Sequence, residues 1–184
     1  MMKFKNSYPI LYKDLQACLI FTAKQDVRFY LKGVYVGKGI ISATHGHAAL
    51  ICDAPESEEI DLIIPRESIA SLIRKLGKSE RIDYVNLHEI SEEFWLLQYS
   101  DAFELFRPIN GKFPDVKKID FQKPERYTAE EFPTFNFDYL MDFRKAAAIY
   151  MKFIAPKIYP TSVNGTAYIE INDRVHGLLM PART

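Results

Sequence analysis

Three stretches of the chain repeat apolar residues at helical spacing, and each is followed by short segments with strand character. The first helical stretch covers about Leu11–Gln25, with Leu11, Leu15, Cys18, Leu19 and Thr22 on one stripe. The second opens at Pro65, where a first helical turn tolerates the missing N–H, and carries Ile69, Leu72, Ile73 and Leu76 before Gly77 ends it. The third starts after Asn136, a good N-cap residue, turns Phe137, Leu140, Met141, Ala147, Ala148 and Met151 inward, and stops at Pro156. Strands are predicted at Val27–Val36, Gly39–Ala43 and His47–Cys52, then at Ile82–Glu89, Phe94–Tyr99 and Phe103–Arg107. A last set is predicted at Ile158–Val163, Ala167–Ile171 and Val175–Met180. Asn164-Gly165 is a strong type I′ hairpin signal, and Gly37-Lys38-Gly39 a looser one.

The chain therefore reads as a helix followed by three strands, three times over. That order implies an α+β fold with helices on one face of antiparallel sheets. The Pro-rich, charged segment Asp120–Thr134 is the best candidate for a linker. A lone third module would leave a sheet edge bare, so it is expected to pack against the first two or against another chain.

Composition narrows the function. The 24 basic residues balance 24 acidic ones, which excludes a protein that coats nucleic acid by bulk positive charge and shifts attention to where the charges sit. There is no apolar run long enough to span a membrane and no signal-peptide pattern. Cys18 and Cys52 lie in apolar segments and read as buried free thiols, so a cytoplasmic location is expected.

Five motifs carry more, the first of them a strand together with the turn that follows it. Phe29-Tyr30-Leu31-Lys32-Gly33-Val34 leads into the turn Ala43-Thr44-His45-Gly46-His47-Ala48-Ala49-Leu50. Ile63-Ile64-Pro65-Arg66 opens the second helix, and Asn110-Gly111-Lys112-Phe113-Pro114-Asp115 closes the second set of strands. Phe135-Asn136-Phe137-Asp138-Tyr139-Leu140 opens the third helix, and Met180-Pro181-Ala182-Arg183 stands near the end. In this order they resemble the bacterial sliding DNA clamps, the β subunit of the replicative polymerase. The resemblance implies a DNA-clamp-like fold in shortened form: one complete two-module domain over residues 1–121, then a linker and half domain over 122–184. His45 stands where the family turn usually has Asp, and Ala48 where it usually has Arg.

The resemblance implies two binding surfaces and no catalysis. A pocket for linear peptides of polymerases and other DNA-processing proteins would be formed by Thr44, Gly46, His47, Pro65, Ile69, Ala70, Met180, Pro181 and Arg183. Pro and Met would supply a pliable apolar floor, Gly46 close backbone approach, and Arg183 a donor to a carbonyl or carboxylate. Basic helix faces would line duplex DNA through its phosphates without reading bases. The candidates are Lys13 and Lys24 on the first helix, Arg66, Arg74, Lys75 and Lys78 on the second, and Arg144, Lys145 and Lys152 on the third. The implied partners are duplex DNA, clamp-binding peptides and further copies of this chain; four chains of three modules would supply the twelve modules of a clamp ring. The alternative is a peptide-binding module that forms no ring and competes with a full-length clamp.

Other motifs carry no chemistry. Gly33–Gly39 imitates a phosphate-binding loop but is one residue short, lacks the Ser/Thr after its Lys and lies in a hairpin. His45 and His47 have no third ligand at metal spacing, so neither a metal nor a cofactor is expected. No nucleophile elbow or Cys–His pairing occurs, and Trp95 and the many Tyr and Phe residues alternate as sheet and core residues.

Overall fold

Two strands that the hydrophobic pattern did not reveal tie the first two units together. The computed structural model describes residues 4–77, 81–125 and 132–182. Strand β1 (Asn6–Leu11) runs into helix α1 (Tyr12–Ile20), and β5 (Asp61–Pro65) runs into α2 (Arg66–Leu76). After α1 come β2 (Gly33–Gly37), β3 (Ile40–Thr44) and β4 (Ala48–Asp53); after α2 come β6 (Tyr84–Glu89), β7 (Trp95–Tyr99) and β8 (Ala102–Phe106). A short helix α3 (Val116–Ile119) precedes α4 (Phe137–Tyr150), β9 (Lys157–Tyr159), β10 (Ala167–Glu170) and β11 (Val175–Leu179).

The two extra strands are exchanged: β1 pairs with β6 and β5 with β2, both antiparallel. Each strand thus enters its own helix while completing the other unit's sheet. Both lie at sheet edges, where Pro9 and Pro65 leave no ladder bond unmade. The proline in each run is what hid them from the period-2 pattern.

The sheets have the orders β1-β6-β7-β8 and β5-β2-β3-β4-β11-β10-β9. The third unit therefore packs on the first: β11 continues the sheet beside β4, from Ala48↔Leu179 to Cys52↔Val175. All three long helices lie over one side of these sheets, with α1 between α2 and α4. Strand residues alternate between two apolar layers. Val34, Val36, Ile41, Leu50 and Cys52 face the helices together with Leu15, Ile69, Leu72 and Phe143, whereas Tyr35, Ile40, Ala49, Ile51 and Leu178 face outward. The outward layer is covered by the segment after β8, through Phe113 and Val116.

Helix boundaries are tighter than the periodicity predicts. Helix α1 ends at Ile20 instead of Gln25, because the Thr22 hydroxyl donates to the Leu19 carbonyl at 2.7 Å and the chain turns to pair Ala23 N–H with the Leu31 carbonyl. Residues Phe29–Lys32 form a 3-10 turn, so β2 starts at Gly33, not Val27. The two hairpin signals exchange roles. Lys38 (φ 53°) and Gly39 (φ 75°) form the two-residue turn between Gly37 and its partner Ile40, whereas residues 160–166 form a longer loop in which neither Asn164 nor Gly165 has positive φ.

Candidate functional site

The turn after β3 is built by Thr44. Its hydroxyl donates to the Ala48 carbonyl at 2.8 Å and accepts the Gly46 N–H at 3.0 Å, which folds the chain back within three residues. Gly46 sits at φ 96°, a conformation an L side chain avoids, and a Cβ there would lie 2.8 Å from Arg28 Nη2. Arg28 is held in that place by Asp26, through Nε at 3.0 Å and Nη2 at 2.8 Å; the guanidinium keeps the Asp26 carboxyl down at about 2. A guanidinium thus lies against the turn although Ala48 has no charge of its own.

The C-terminal strand meets this turn. Met180 N–H donates to the His47 carbonyl at 2.9 Å, Ala182 N–H donates to the Thr134 carbonyl, and the Met180 side chain is 41% exposed beside Thr166. Beneath, Tyr139 of α4 stacks on His47 at 5.4 Å between ring centroids and meets the His45 ring at 4.9 Å in a tilted contact. Thr44, Gly46, His47, Met180 and Pro181 are therefore neighbours at one end of the seven-stranded sheet, as the resemblance implies.

Pro65, Ile69 and Ala70 stand on the neighbouring β5–α2 segment. Pro65 ends β5, two strand positions away from Thr44, or roughly 10 Å across the sheet. Ile69 is 1% exposed in the helix-side core, so nothing can bind it. Arg183 lies outside the described residues. The side chains that sequence reasoning missed are Arg28 and Tyr139; the short Asp26-x-Arg28 spacing was a usable sign of the first, and nothing in the sequence placed the second.

His45 turns inward, with its ring parallel to that of Phe21 at 6.4 Å and its Nε2 buried without a hydrogen-bond partner among the described residues. Burial holds this imidazole below its ordinary value, against an opposing pull from Asp142, and His47 adds to the lowering. His88 is shifted the same way by burial. Because the folded state disfavours the charged ring, the cost is absent above pH 6.5, grows as the pH falls through the unfolded value near 6.5, and is complete below the lowered folded value. Urea midpoints of the wild type are expected to fall between pH 8 and pH 5, and His45→Phe, which keeps the ring contact, is expected to lose part of that fall. An unchanged pH dependence in the variant would remove His45 as its source.

The cationic candidates divide by their surroundings. Lys13, Arg74 and Arg144 are exposed on α1, α2 and α4 and have no ion-pair partner within 4 Å among the described residues. Lys24 and Lys152 are exposed too, but lie beyond the ends of α1 and α4 and not on the helices. Arg66 is half-buried, donating from Nε to Thr22 at 3.1 Å with Glu67 3.8 Å from Nη1. Lys75 is engaged by Glu104 and by the Phe103 carbonyl, both at 2.7 Å, and Lys145 by Asp142 at 2.8 Å. Lys78 lies outside the described residues. Among the described residues no three His, Cys, Asp or Glu side chains gather as a metal site, and no helix is long and apolar enough to cross a membrane.

Comparison with known proteins agrees with this architecture. No family model matches the chain, and no curated protein does. Solved structures do. A DNA polymerase sliding clamp from Pseudomonas aeruginosa superposes with a TM-score of 0.73 at 17% identity, over 99% of this chain and 68% of that one. A DnaN sliding clamp from Bartonella birtlesii, bound to griselimycin, gives 0.76 at 19%, over 99% and 67%. A sliding clamp from Bacillus subtilis gives 0.74 at 15%, over 100% and 66%. The chain has the α+β fold of bacterial sliding clamps in shortened form.

Proposed function

We propose, with the sliding-clamp fold as premise, that this chain is a small processivity factor: a non-enzymatic, cytoplasmic protein whose assembled copies hold duplex DNA and tether DNA-processing proteins to it. The reading divides the chain into a complete domain at residues 1–121 and a linker with a half domain at 122–184. The observation that carries it is the helix layer. Three helices lie side by side, and each exposes a cation with no ion-pair partner among the described residues, Lys13, Arg74 and Arg144, on a protein with no net charge. Such a layer contacts phosphates by charge and leaves base sequence unread. Lys24, Lys152 and the half-buried Arg66 extend it; Lys75 and Lys145 contribute less, because each already has a carboxylate.

The peptide site of this reading is the turn at Thr44–His47 with Met180 and Pro181, and it includes Arg28. An extended peptide laid there would meet exposed thioether and proline surface, with a guanidinium within reach of its carbonyls or an acidic side chain. Four chains would supply the twelve modules of a ring.

Duplex binding measured over a salt series tests the DNA face. Replacing Lys13, Arg74 and Arg144 together by Glu is expected to weaken binding to all duplex sequences alike. The slope of log K against log salt should shrink by roughly 3, about one unit for each phosphate that is no longer neutralised. If affinity and slope survive in the triple variant, the helix layer is not the DNA surface.

A further inference from the structure

We propose that β8 is a self-association edge: β8 of one chain pairs antiparallel with β8 of a second copy about a two-fold axis.

The argument starts from what the chain does with its own strands. In each of the three units, the last strand after the helix is β4, β8 or β11. β4 and β11 pair with each other, last strand to last strand, and so join the first and third units into one sheet. β8 is the remaining last strand, and among the described residues it ends its sheet with no strand on its outer side. The junction that the chain builds once internally is therefore left open once, on the strand of equivalent place.

The residues of β8 fit that role. Glu104 points to the helix side, where Ser71 and Lys75 of α2 bind it. Phe103 and Leu105 alternate to the other face and are 56% and 53% exposed. Their counterparts on β4, Ala49 and Ile51, are 3% and 1% exposed beside β11. The other sheet ends are defended in the usual ways: β1 carries Pro9, β5 carries Pro65 and the charged Asp61, and β9 has three residues. β8 has neither a proline nor an outward charge. Its Phe103 carbonyl takes Lys75 Nζ at 2.7 Å where another strand would supply an amide.

A second copy is the occupant that these features select. An axis through Glu104 sets Phe103 opposite Leu105 of the copy on the outer face, twice by symmetry, and each Glu104 keeps its own Lys75 as counter-charge. Two apolar cross-strand pairs and an uninterrupted backbone ladder then replace exposed surface. The inference rests on the open edge, not on DNA or peptide binding, and it supplies one of the two kinds of contact that a four-chain ring needs.

Molar mass by sedimentation equilibrium across a wide concentration range tests it. The wild type is expected to associate reversibly to at least twice its 21.3 kDa mass. Phe103→Lys with Leu105→Lys, both at exposed positions, should keep the far-ultraviolet spectrum of the wild type and raise the dissociation constant at least ~10-fold, since each like-charged cross-strand pair opposes docking. Register is read separately. A Phe103→Cys chain mixed with a Leu105→Cys chain under mild oxidation by oxidised glutathione should give a mixed disulfide dimer, and neither variant alone should. A wild type that stays monomeric throughout would mean that Lys75 seals the edge, and the proposal fails; association untouched by the double variant, or cross-linking within single variants only, overturns it as well. DNA binding lost without loss of association would overturn the proposed function and leave this pairing standing.

Discussion

Phe143→Ala is expected to lower the unfolding free energy by about 3–5 kcal/mol, the range for emptying an aromatic site in a packed core. Phe143 is 1% exposed on α4 and packs tilted against Phe21, the C-cap residue of α1, with 4.8 Å between centroids. Across from it lies Gly177 of β11, where a Cβ would overlap the Phe143 ring and approach the Ala49 carbonyl to 2.8 Å. The ring therefore fills the space between the α1–α4 helix pair and the β4–β11 strand pair, and that space cannot close, because the strands are bonded to each other and the helices to their own units. Urea unfolding of the variant measures the loss. A cost below about 1 kcal/mol would show that the site collapses around alanine and that the third unit is held by other contacts. The same variant is predicted to expose the Thr44–His47 turn, since Tyr139 on the same helix supports it.

Arg174→Ala is expected to cost about 3 kcal/mol for a different reason. Asp14, in the first turn of α1, has a side chain with 0% exposure, and Arg174 donates to both of its oxygens, from Nη1 at 3.1 Å and Nη2 at 3.0 Å. Tyr150 of α4 adds a third donor at 2.8 Å, and Arg174 also bonds the Asp53 carbonyl at the end of β4. Removing the guanidinium leaves a carboxylate buried with a phenol as its remaining polar partner, so the penalty is mostly that of an uncompensated charge. Arg174 is itself 38% exposed, which sets the expectation at the low end of the range. The Asp14→Asn, Arg174→Met double variant removes both charges, and its stability should recover most of the loss. If the double variant is as unstable as Arg174→Ala, the contribution comes from packing and not from the ion pair. The pair spans α1 and the turn before β11, so both predictions test the joint between the first and third units.

Much of this architecture was legible in the chain because its causes are local. The i, i+3, i+4, i+7 series at Ile69, Leu72, Ile73 and Leu76 specifies a helix whatever surrounds it, and Gly77, at φ 65°, ends that helix where an L side chain would be strained. Asn136 caps α4 by accepting the Asp138 N–H at 2.8 Å, a contact that spans two residues. Cys18 and Cys52 are buried and free, as their apolar neighbours implied, with sulfurs 3.8 Å apart. Asn164-Gly165 shows the limit of such reasoning. The dipeptide favours a tight turn, yet β9 pairs with β10 in a register that leaves seven residues between them, and register is decided by both strands.

The sequence by itself determined the three helix-and-strand units, their order, the turn at Thr44–His47 and the helix positions of Lys13, Arg74 and Arg144, because periodicity, capping and turn chemistry act within a few residues. Tertiary structure alone decided that β1 and β5 cross between units, that β11 joins β4, and that Met180 and Pro181 reach the turn while Ile69 is sealed in the core. It also decided which cations remain unpaired: Lys75 and Arg144 look alike in the chain, but Glu104 arrives beside one and not the other. These outcomes depend on pairings between residues far apart in sequence, whose free energy comes from burying shared surface and matching backbone ladders that neither segment possesses alone.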